Sequence, residues 1–318
     1  ELLGELNGSH TGARYYGSRK SIGKLGFIPD YSHEGDGLKI AEVLKGGPLA
    51  VVDPEIKSGD IIEAIDGKKI TAGTNWLSLL ERKAGQKVLV SVKKKGRKTE
   101  DIYVEAAYSD YSELYRRWVR HREEMVEKLS GGRIGYVHVQ GMDSDSFREV
   151  YSKLLGKYRN AEAVIVDTRN NGGGWLHDDL ATLLDGKAYI RFEPRGQYIG
   201  TEPYSKWTKP SCVLIGENNY SDACGFPYVY KTLGIGKLIG APVPGTMTAV
   251  WWEQQIDPTI VFGIPQVGAV GLKEGRYLEN MQIEPDILVY NDPASVLNGE
   301  DKQLEAAVEE MLKEIGQE

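Results

Sequence analysis

Short apolar runs alternate with helical segments through the second half of the chain. Strands are predicted at 134–139, 163–167, 212–215 and 237–239, and helices at 146–158, 175–184 and 226–233. Strands that alternate with helices are joined by crossover connections, which place the strands parallel in one sheet. The sequence therefore predicts an α/β domain, to which antiparallel strands at 249–256, 259–267 and 269–272 and a final helix at 301–315 are added.

The first third of the chain has a different pattern. From residue 25 to about 107, short apolar runs are separated by turn signals, including a hairpin of strands 88–92 and 99–104 around Gly96. A short helix is predicted at 75–83, and a long amphipathic helix follows at 110–129. This pattern predicts a separate, mainly β domain.

Composition narrows the class of protein. The 318 residues allow more than one domain, and the formal net charge of −7 argues against nucleic acid as the main partner. No apolar run approaches the roughly 20 residues that span a bilayer, so no membrane span is expected. Two cysteines are too few for a disulfide framework. The chain starts with neither Met nor a signal-peptide pattern, which suggests a piece of a longer protein.

Ser221 lies in the turn between the strand at 212–215 and the helix predicted from Phe226. The first N–H groups of a helix lack partners within the helix, and together with the helix dipole they favour negative charge. An attacked carbonyl develops negative charge on its oxygen, so the position suits acyl transfer. The alternative is a serine that only caps the helix.

A second stretch suggests a ligand-binding loop. The buried strand at 163–167 runs into Gly172, Gly173 and Gly174, which allow close approach of a ligand to the backbone. The spacing matches neither a Walker A motif nor Gly-x-Gly-x-x-Gly. An oxyanion-binding turn therefore fits better than a phosphate cradle, and a merely tight connection is the alternative.

Four segments resemble one family, the C-terminal processing and tricorn peptidases. The segment DTRNNGGG at 167–174 resembles the family's D-[LV]-R-x-N-x-G-G motif, and YSDA at 220–223 resembles the nucleophile motif of the tricorn branch. The segment ELNGSHT at 5–11 resembles the part that supplies a catalytic Ser-His pair, and YLEN at 277–280 the part that supplies a glutamate. In addition LGF at 25–27, GPL at 47–49, SGDII at 58–62 and IDG at 65–67 resemble a PDZ domain.

The resemblance implies a PDZ-like β domain inserted before a crossover α/β (ClpP/crotonase-like) peptidase core. We expect residues 1–24 to be an N-terminal core piece that carries Ser-His, 25–107 the PDZ-like domain, and 108–318 the α/β serine peptidase core. A PDZ domain captures a peptide strand or C-terminus by sheet-edge addition. A spacer or an assembly surface is the alternative role.

The resemblance also assigns the catalytic residues. Ser221 is the expected nucleophile and His10 its general base, while Ser9 and Glu279 orient His10 and stabilise its charged form. The backbone N–H groups of Asp222 and Gly173 would form the oxyanion hole.

Further positions are expected to bind substrate or to mark the branch. Gly172 is a substitute for Gly173, and Glu193 is a candidate for the pocket of a basic side chain. The Ser/Lys branch has its base Lys roughly 25 residues after the nucleophile, where this chain has Thr246, so His10 is needed as the base. Cys224 replaces an acidic residue of the family, which puts fine positioning of the helix or a substrate contact in doubt. No metal and no cofactor are expected.

The sequence thus predicts a serine peptidase that trims oligopeptides. Its expected partners are peptide or unfolded-protein substrates and further copies of itself, with no nucleic acid. A cytoplasmic location is favoured by the resemblance, and a periplasmic one is possible. The alternative is a catalytically silent relative that binds peptide or apolar ligands on the same scaffold. A PDZ-type assembly protein is a third reading, which leaves the glycine loop unexplained.

Overall fold

The computed structural model describes residues 2–17, 21–94 and 98–316, and the chain divides into two compact units. One unit is 17–121, and the other combines 1–16 with 122–318. The predicted hairpin tip at Gly96 lies outside the described residues. Within the described ranges, no helix is both long and apolar enough to cross a membrane.

The unit 17–121 is built on an antiparallel sheet. The strand at 87–93 buries Val88, Val90 and Val92 completely, which is the period of two expected for a half-buried strand. After β1 (Gly12–Tyr15) of the other unit, the strands are β2 (Phe27–Pro29), β3 (Leu38–Val43), β4 (Ile61–Ile65), β5 (Lys68–Lys69), β6 (Lys87–Lys93) and β7 (Thr99–Glu105). The sheet order is β2-β3-β4-β6-β7, with β5 paired to β4.

The helix predicted at 75–83 is shorter and tighter than expected. Only Trp76–Leu80 forms a helix, of the 3-10 type, and Asn75 is its N-cap. Thr74 does not cap it, because its hydroxyl accepts from the Thr71 N–H instead. The ring of Trp76 lies 5.8 Å from that of Phe27 at the edge strand β2.

The larger unit is organised around a five-stranded sheet of order β20-β13-β12-β9-β8, whose strand pairs are all parallel. This confirms the predicted crossover α/β core. Every residue of β8, β9 and β12 is buried, as expected for strands covered on both faces. Helix α1 (Tyr111–Ser130) includes residues of both units, since the division falls between residues 121 and 122. The other helices are α2 (Ser144–Ser152), α3 (His177–Leu184), α4 (Asp222–Thr232), α5 (Pro293–Leu297) and α6 (Lys302–Ile315). The strands are β8 (Ile134–His138), β9 (Ala163–Asp167), β10 (Ile190–Phe192), β11 (Gly200–Glu202), β12 (Ser211–Ile215), β13 (Lys237–Gly240), β14 (Thr248–Val250), β15 (Glu253–Gln254), β16 (Ile260–Gly263), β17 (Pro265–Gly268), β18 (Val270–Gly271), β19 (Arg276–Tyr277) and β20 (Ile287–Leu288).

The N-terminal segment is held in the larger unit by strand pairing. β1 pairs antiparallel with β16, with Gly12 opposite Gly263 and Tyr15 opposite Ile260. β16 in turn pairs with β15, and β14 pairs with β17, so the predicted antiparallel additions exist as shorter pieces. The pairing of β1 carries residues just before it, including Ser9 and His10, to the core.

Helix α4 begins four residues earlier than predicted. It starts at Asp222 rather than Phe226, and it contains Pro227. Gly225 and Pro227 are poor helix formers, but Ala223, Cys224 and Phe226 are completely buried. Burial of this apolar face outweighs the low helix propensity of the first turns.

Candidate active site

The glycine-rich loop that follows β9 lies against Ser221. Gly173 has φ +99°, and a Cβ built on it would come 2.5 Å from Cβ of Ser221 and 2.8 Å from the Tyr220 carbonyl oxygen. The side chain of Asn171 fixes the loop, since it donates to the Val139 carbonyl and accepts from the Gly173 N–H, both at 2.8 Å. Only glycine allows this approach at position 173.

A buried ionic network anchors the start of the same loop. The Arg169 guanidinium, 6% exposed, donates to Asp167 at 2.6 Å and to Asp301 at 2.8 Å. Burial pushes the pKa of Asp301 upward, but the charge and hydrogen bonds of Arg169 outweigh it, so the net pKa is lowered. Asp301 is also the N-cap of α6. The loop is thereby tied to the first turn of α6.

Ser221 occupies the N-cap position of α4 but does not cap it. Its backbone angles are φ 57° and ψ −126°, and its side chain makes no capping hydrogen bond. A non-glycine residue in this conformation is strained, and such strain clusters at functional sites. Its N–H donates to Thr246 Oγ1 at 2.8 Å, whereas its Oγ makes no hydrogen bond among the described residues. The hydroxyl is thus left available, which the capping alternative does not explain.

Thr246 and Cys224 support the backbone around Ser221. Besides accepting from Ser221, the Thr246 hydroxyl lies 3.1 Å from Cys224 Sγ, which also donates to the Asn219 carbonyl at 3.3 Å. Burial raises the pKa of the Cys224 thiol. Cys224 therefore acts as a small buried group within the turn.

His10, Ser9 and Glu279 come together although Ser9 and Glu279 are 270 positions apart. Ser9 donates from its N–H to Glu279 Oε1 at 2.5 Å and from its hydroxyl to Glu279 Oε2 at 3.1 Å. The Ser9 hydroxyl also lies 2.8 Å from His10 Nδ1. The Met247 N–H fixes the carboxylate further, at 2.7 Å from Oε2. The three side chains therefore form one relay.

The relay contacts Tyr220, the residue before Ser221. The His10 N–H donates to Tyr220 Oη at 2.7 Å, and the two rings lie 4.7 Å apart. Burial lowers the pKa of His10, with a smaller opposing effect of Glu279 and a further lowering by Arg14. Among the described residues, no hydrogen bond joins His10 to the Ser221 hydroxyl, and none occupies His10 Nε2.

Sequence reasoning missed one residue of the site, Thr248, and the role of the Asp222 side chain. The Thr248 hydroxyl lies 2.7 Å from Ser9 Oγ and 3.1 Å from His10 Nδ1. The Asp222 carboxylate accepts from the backbone N–H groups of Leu176 and His177 and pairs with His177 Nδ1, which raises the pKa of that histidine. Thr248 belongs to no local motif, and the YSDA motif at 220–223 marked Asp222 only for its backbone N–H, so no signal in the sequence marked either side-chain contact.

The predicted oxyanion-hole and substrate-binding residues differ in whether their polar groups already have hydrogen-bond or ionic partners. In the described part of the chain, the N–H groups of Asp222 and Gly172 make no hydrogen bond, whereas that of Gly173 is bonded to Asn171. A Cβ on Gly172 would meet nothing within 4 Å. Glu193 is exposed and pairs with Arg191 on its own hairpin, and none of its described contacts is with the residues around Ser221.

Comparison with known proteins agrees with this architecture. Residues 133–289 match peptidase family S41, and residues 23–109 match the tricorn protease PDZ domain. The chain is 28% identical to the tricorn protease of Thermoplasma acidophilum over 91% of its own length, and 27% identical to a tricorn protease homolog of Saccharolobus solfataricus over 99%. It spans only 26% and 30% of the lengths of these relatives.

A solved structure supports the same assignment. The crystal structure of the tricorn protease superimposes on 98% of this chain with a TM-score of 0.83 at 25% identity, and 31% of that longer chain is covered. The fold, the match to the PDZ domain and the match to the peptidase family all indicate a relative of the tricorn proteases. The chain therefore belongs to the tricorn-like branch of peptidase family S41, with a PDZ domain of the tricorn type.

Proposed function

We propose that the chain hydrolyses peptide bonds of oligopeptides through Ser221, with His10 as general base and Ser9 and Glu279 as its supporting residues. The observation that carries the proposal is the hydrogen-bonded array of Glu279, Ser9 and His10 next to a strained, uncapped serine. The array joins distant parts of the chain, and it gives one imidazole a fixed orientation. Family membership supports peptide hydrolysis as the reaction.

The proposed reaction has two halves. His10 Nε2 takes the proton of the Ser221 hydroxyl as Oγ attacks the peptide carbonyl, and the imidazolium then protonates the leaving amine. Water, activated by the same nitrogen, hydrolyses the acyl-enzyme. Glu279 stabilises the imidazolium through the Ser9 hydroxyl, which keeps the carboxylate one group away from the ring.

The developing oxyanion needs N–H donors near Ser221. The Asp222 N–H is a suitable donor because it follows the nucleophile at the start of α4 and makes no hydrogen bond among the described residues. On the loop side, the Gly173 N–H serves if it leaves Asn171, and the Gly172 N–H is the substitute. Both glycines stay in the proposal.

The proposed substrates are peptides or unfolded segments, and the active form is a homo-oligomer, as the resemblance implies. Glu193 would favour a basic side chain in the substrate. Because Glu193 is exposed on the hairpin of β10 and β11, its role can be tested separately from the relay, by comparing arginine with leucine substrates in Glu193→Gln.

A fluorophosphonate probe tests the nucleophile directly. Wild type is expected to be labelled at Ser221, as mapped by mass spectrometry, while Ser221→Ala and His10→Ala are not labelled and hydrolyse peptides several powers of ten more slowly. Labelling of another serine, or equal hydrolysis by Ser221→Ala, would contradict the proposal.

One observation favours the second candidate, a silent relative that binds peptide or apolar ligands. The described hydrogen bonds include none between the Ser221 hydroxyl and His10, and the Gly173 N–H is already occupied. Peptide binding without labelling or turnover, in a protein whose folding is intact, would establish this candidate in place of the first.

A further inference from the structure

The Thr248 hydroxyl contacts both Ser9 and His10 of the relay. It lies on β14, whose backbone is fixed by pairing of Thr248 with Gly268 on β17. Its hydroxyl is 2.7 Å from Ser9 Oγ, 3.1 Å from His10 Nδ1 and 3.1 Å from the Ser9 carbonyl oxygen. These three contacts, all with Ser9 and His10, reach the number that one hydroxyl can make, since it has one proton to donate and two lone pairs that accept.

Counting protons decides the direction of the hydrogen bonds. The Ser9 hydroxyl has one proton and donates it to the Glu279 carboxylate, which can only accept. The Thr248 hydroxyl also has one proton, which it donates to the Ser9 carbonyl oxygen or to Ser9 Oγ. Both oxygens can only accept from Thr248, because the proton of the Ser9 hydroxyl is already donated to Glu279. Both hydroxyl oxygens then face His10 Nδ1 with lone pairs. Nδ1 must carry the proton, and Nε2 is left as the basic nitrogen.

We propose that Thr248 is a positioning residue of the relay, which shares with Ser9 the Nδ1 proton of His10 and so holds the imidazole in the tautomer whose Nε2 can act as a base. The inference rests on the proposed function of His10. It adds a second acceptor to the one that the family resemblance supplies. When His10 becomes charged, the N–H bond to Thr248 becomes charge-assisted and therefore stronger.

Threonine suits this role for a steric reason. Its β-branch restricts rotation about χ1, so the hydroxyl is held toward Ser9 and His10 without a large entropic cost. Valine has almost the same shape but no hydroxyl, and serine keeps the hydroxyl but not the methyl group. The pair of variants therefore separates the hydrogen bond from the packing.

The kinetic test compares Thr248→Val, Thr248→Ser and the control Thr182→Val, an exposed threonine of α3. We expect Thr248→Val to lower kcat about tenfold to a hundredfold with little change in KM, because a charge-assisted hydrogen bond is lost. Thr248→Ser should recover most of that loss. Equal kcat in Thr248→Val and Thr182→Val, or equal impairment of the valine and serine variants, would overturn the inference.

A double variant tests whether the two hydroxyls share one proton. If Ser9 and Thr248 are alternative acceptors, each single variant leaves the other in place, and Ser9→Ala with Thr248→Val should lose more than the product of the two single effects. Independent, purely structural roles give simple multiplication of the two effects, which would contradict the shared acceptor.

Imidazole ¹⁵N spectra at pH 8 supply a readout that does not depend on turnover. The chain has five histidines, and the signals of His10 are identified by their loss in His10→Gln. We expect the Nδ1–H tautomer in wild type and a larger share of Nε2–H in Thr248→Val. If the tautomer of His10 changes in this way but the wild-type protein does not hydrolyse peptides, the proposed function is rejected and the inference about Thr248 is kept. Hydrolysis with an unchanged tautomer in Thr248→Val would reject the inference alone.

Discussion

At the scale of single residues, Gly173 is the position most sensitive to one added methyl group. Gly173→Ala would place Cβ 2.5 Å from Cβ of the nucleophile, at a φ of +99° that alanine avoids. We expect loss of peptide hydrolysis and a decrease of about 1–3 kcal/mol in the free energy of unfolding. Urea titration and a peptide assay check this, and Gly172→Ala, whose Cβ would meet nothing within 4 Å, is the stability control.

The pH dependence of the reaction depends on His10. Burial lowers its pKa, so neutral imidazole is available at pH values below the usual histidine range, and activity should rise with pH through this lowered value. Glu279 opposes the lowering. Glu279→Gln should therefore shift the acid limb of kcat to lower pH and reduce its plateau, since the charge that stabilises the imidazolium is lost. Profiles of both proteins from pH 4 to 9 test this, and a shift of the acid limb to higher pH would contradict it.

At the scale of secondary-structure elements, the first turn of α6 is coupled to the catalytic loop through Asp301 and Arg169. Asp301→Ala removes the N-cap and leaves the Arg169 charge partly unpaired in a buried site. We expect a loss of about 3–5 kcal/mol in the free energy of unfolding. Asp301→Asn, which keeps an oxygen for both bonds, should cost less, and equal costs of the two variants would show that this retained oxygen, and with it the N-cap, contributes little.

The two aspartates that bind Arg169, Asp167 and Asp301, predict a pH dependence of the free energy of unfolding. The lowered pKa values of Asp167 and Asp301 mean that their stabilising effect is present above the ordinary aspartate range. It is lost as the pH falls through the lowered folded-state values. Asp301→Asn should therefore show a weaker loss of stability on acidification than wild type.

The sequence predicted the elements better than it predicted the contacts between them. The strand at 163–167 was placed with its correct bounds because its apolar run is continuous and ends at a polar loop. The predicted start of α4 at Phe226 was wrong. Gly225 and Pro227 disfavour a helix locally, but burial of Phe226 stabilises the helical turn in the folded chain.

Long-range contacts explain what the sequence left out of the site. Ser9, His10, Ser221 and Glu279 were found through motifs that resemble a family, and the structure gathers Ser9, His10 and Glu279 into hydrogen bonds. Thr248 lies on the three-residue strand β14, 239 positions after Ser9. Its contact with Ser9 depends on how β14 is placed by strand pairing, which the sequence alone does not indicate. The pairing of Asp222 with His177 is equally non-local.

At the scale of the whole molecule, the PDZ domain has its own hydrophobic core, including Ile40, Ile62 and Val90. We predict that deletion of residues 25–105, replaced by a short linker, weakens cleavage of long peptides more than cleavage of short fluorogenic ones. The reason is that sheet-edge capture needs a peptide longer than the one that fills the active site. An equal decrease for both lengths would indicate a structural role instead.

The contact of Ser9 with Glu279 has a consequence for biosynthesis. Ser9 and His10 are translated before the whole PDZ domain and Ser221, and Glu279 follows them. This contact closes a loop of 270 positions, and closing so long a loop costs chain entropy. The contact is therefore expected to form late, after the segments between the two residues have folded and shortened the effective loop. Until Glu279 has been translated, the hydrogen bonds that Ser9 makes to its carboxylate cannot form in a nascent chain. Completion of the relay is therefore a late event in biosynthesis.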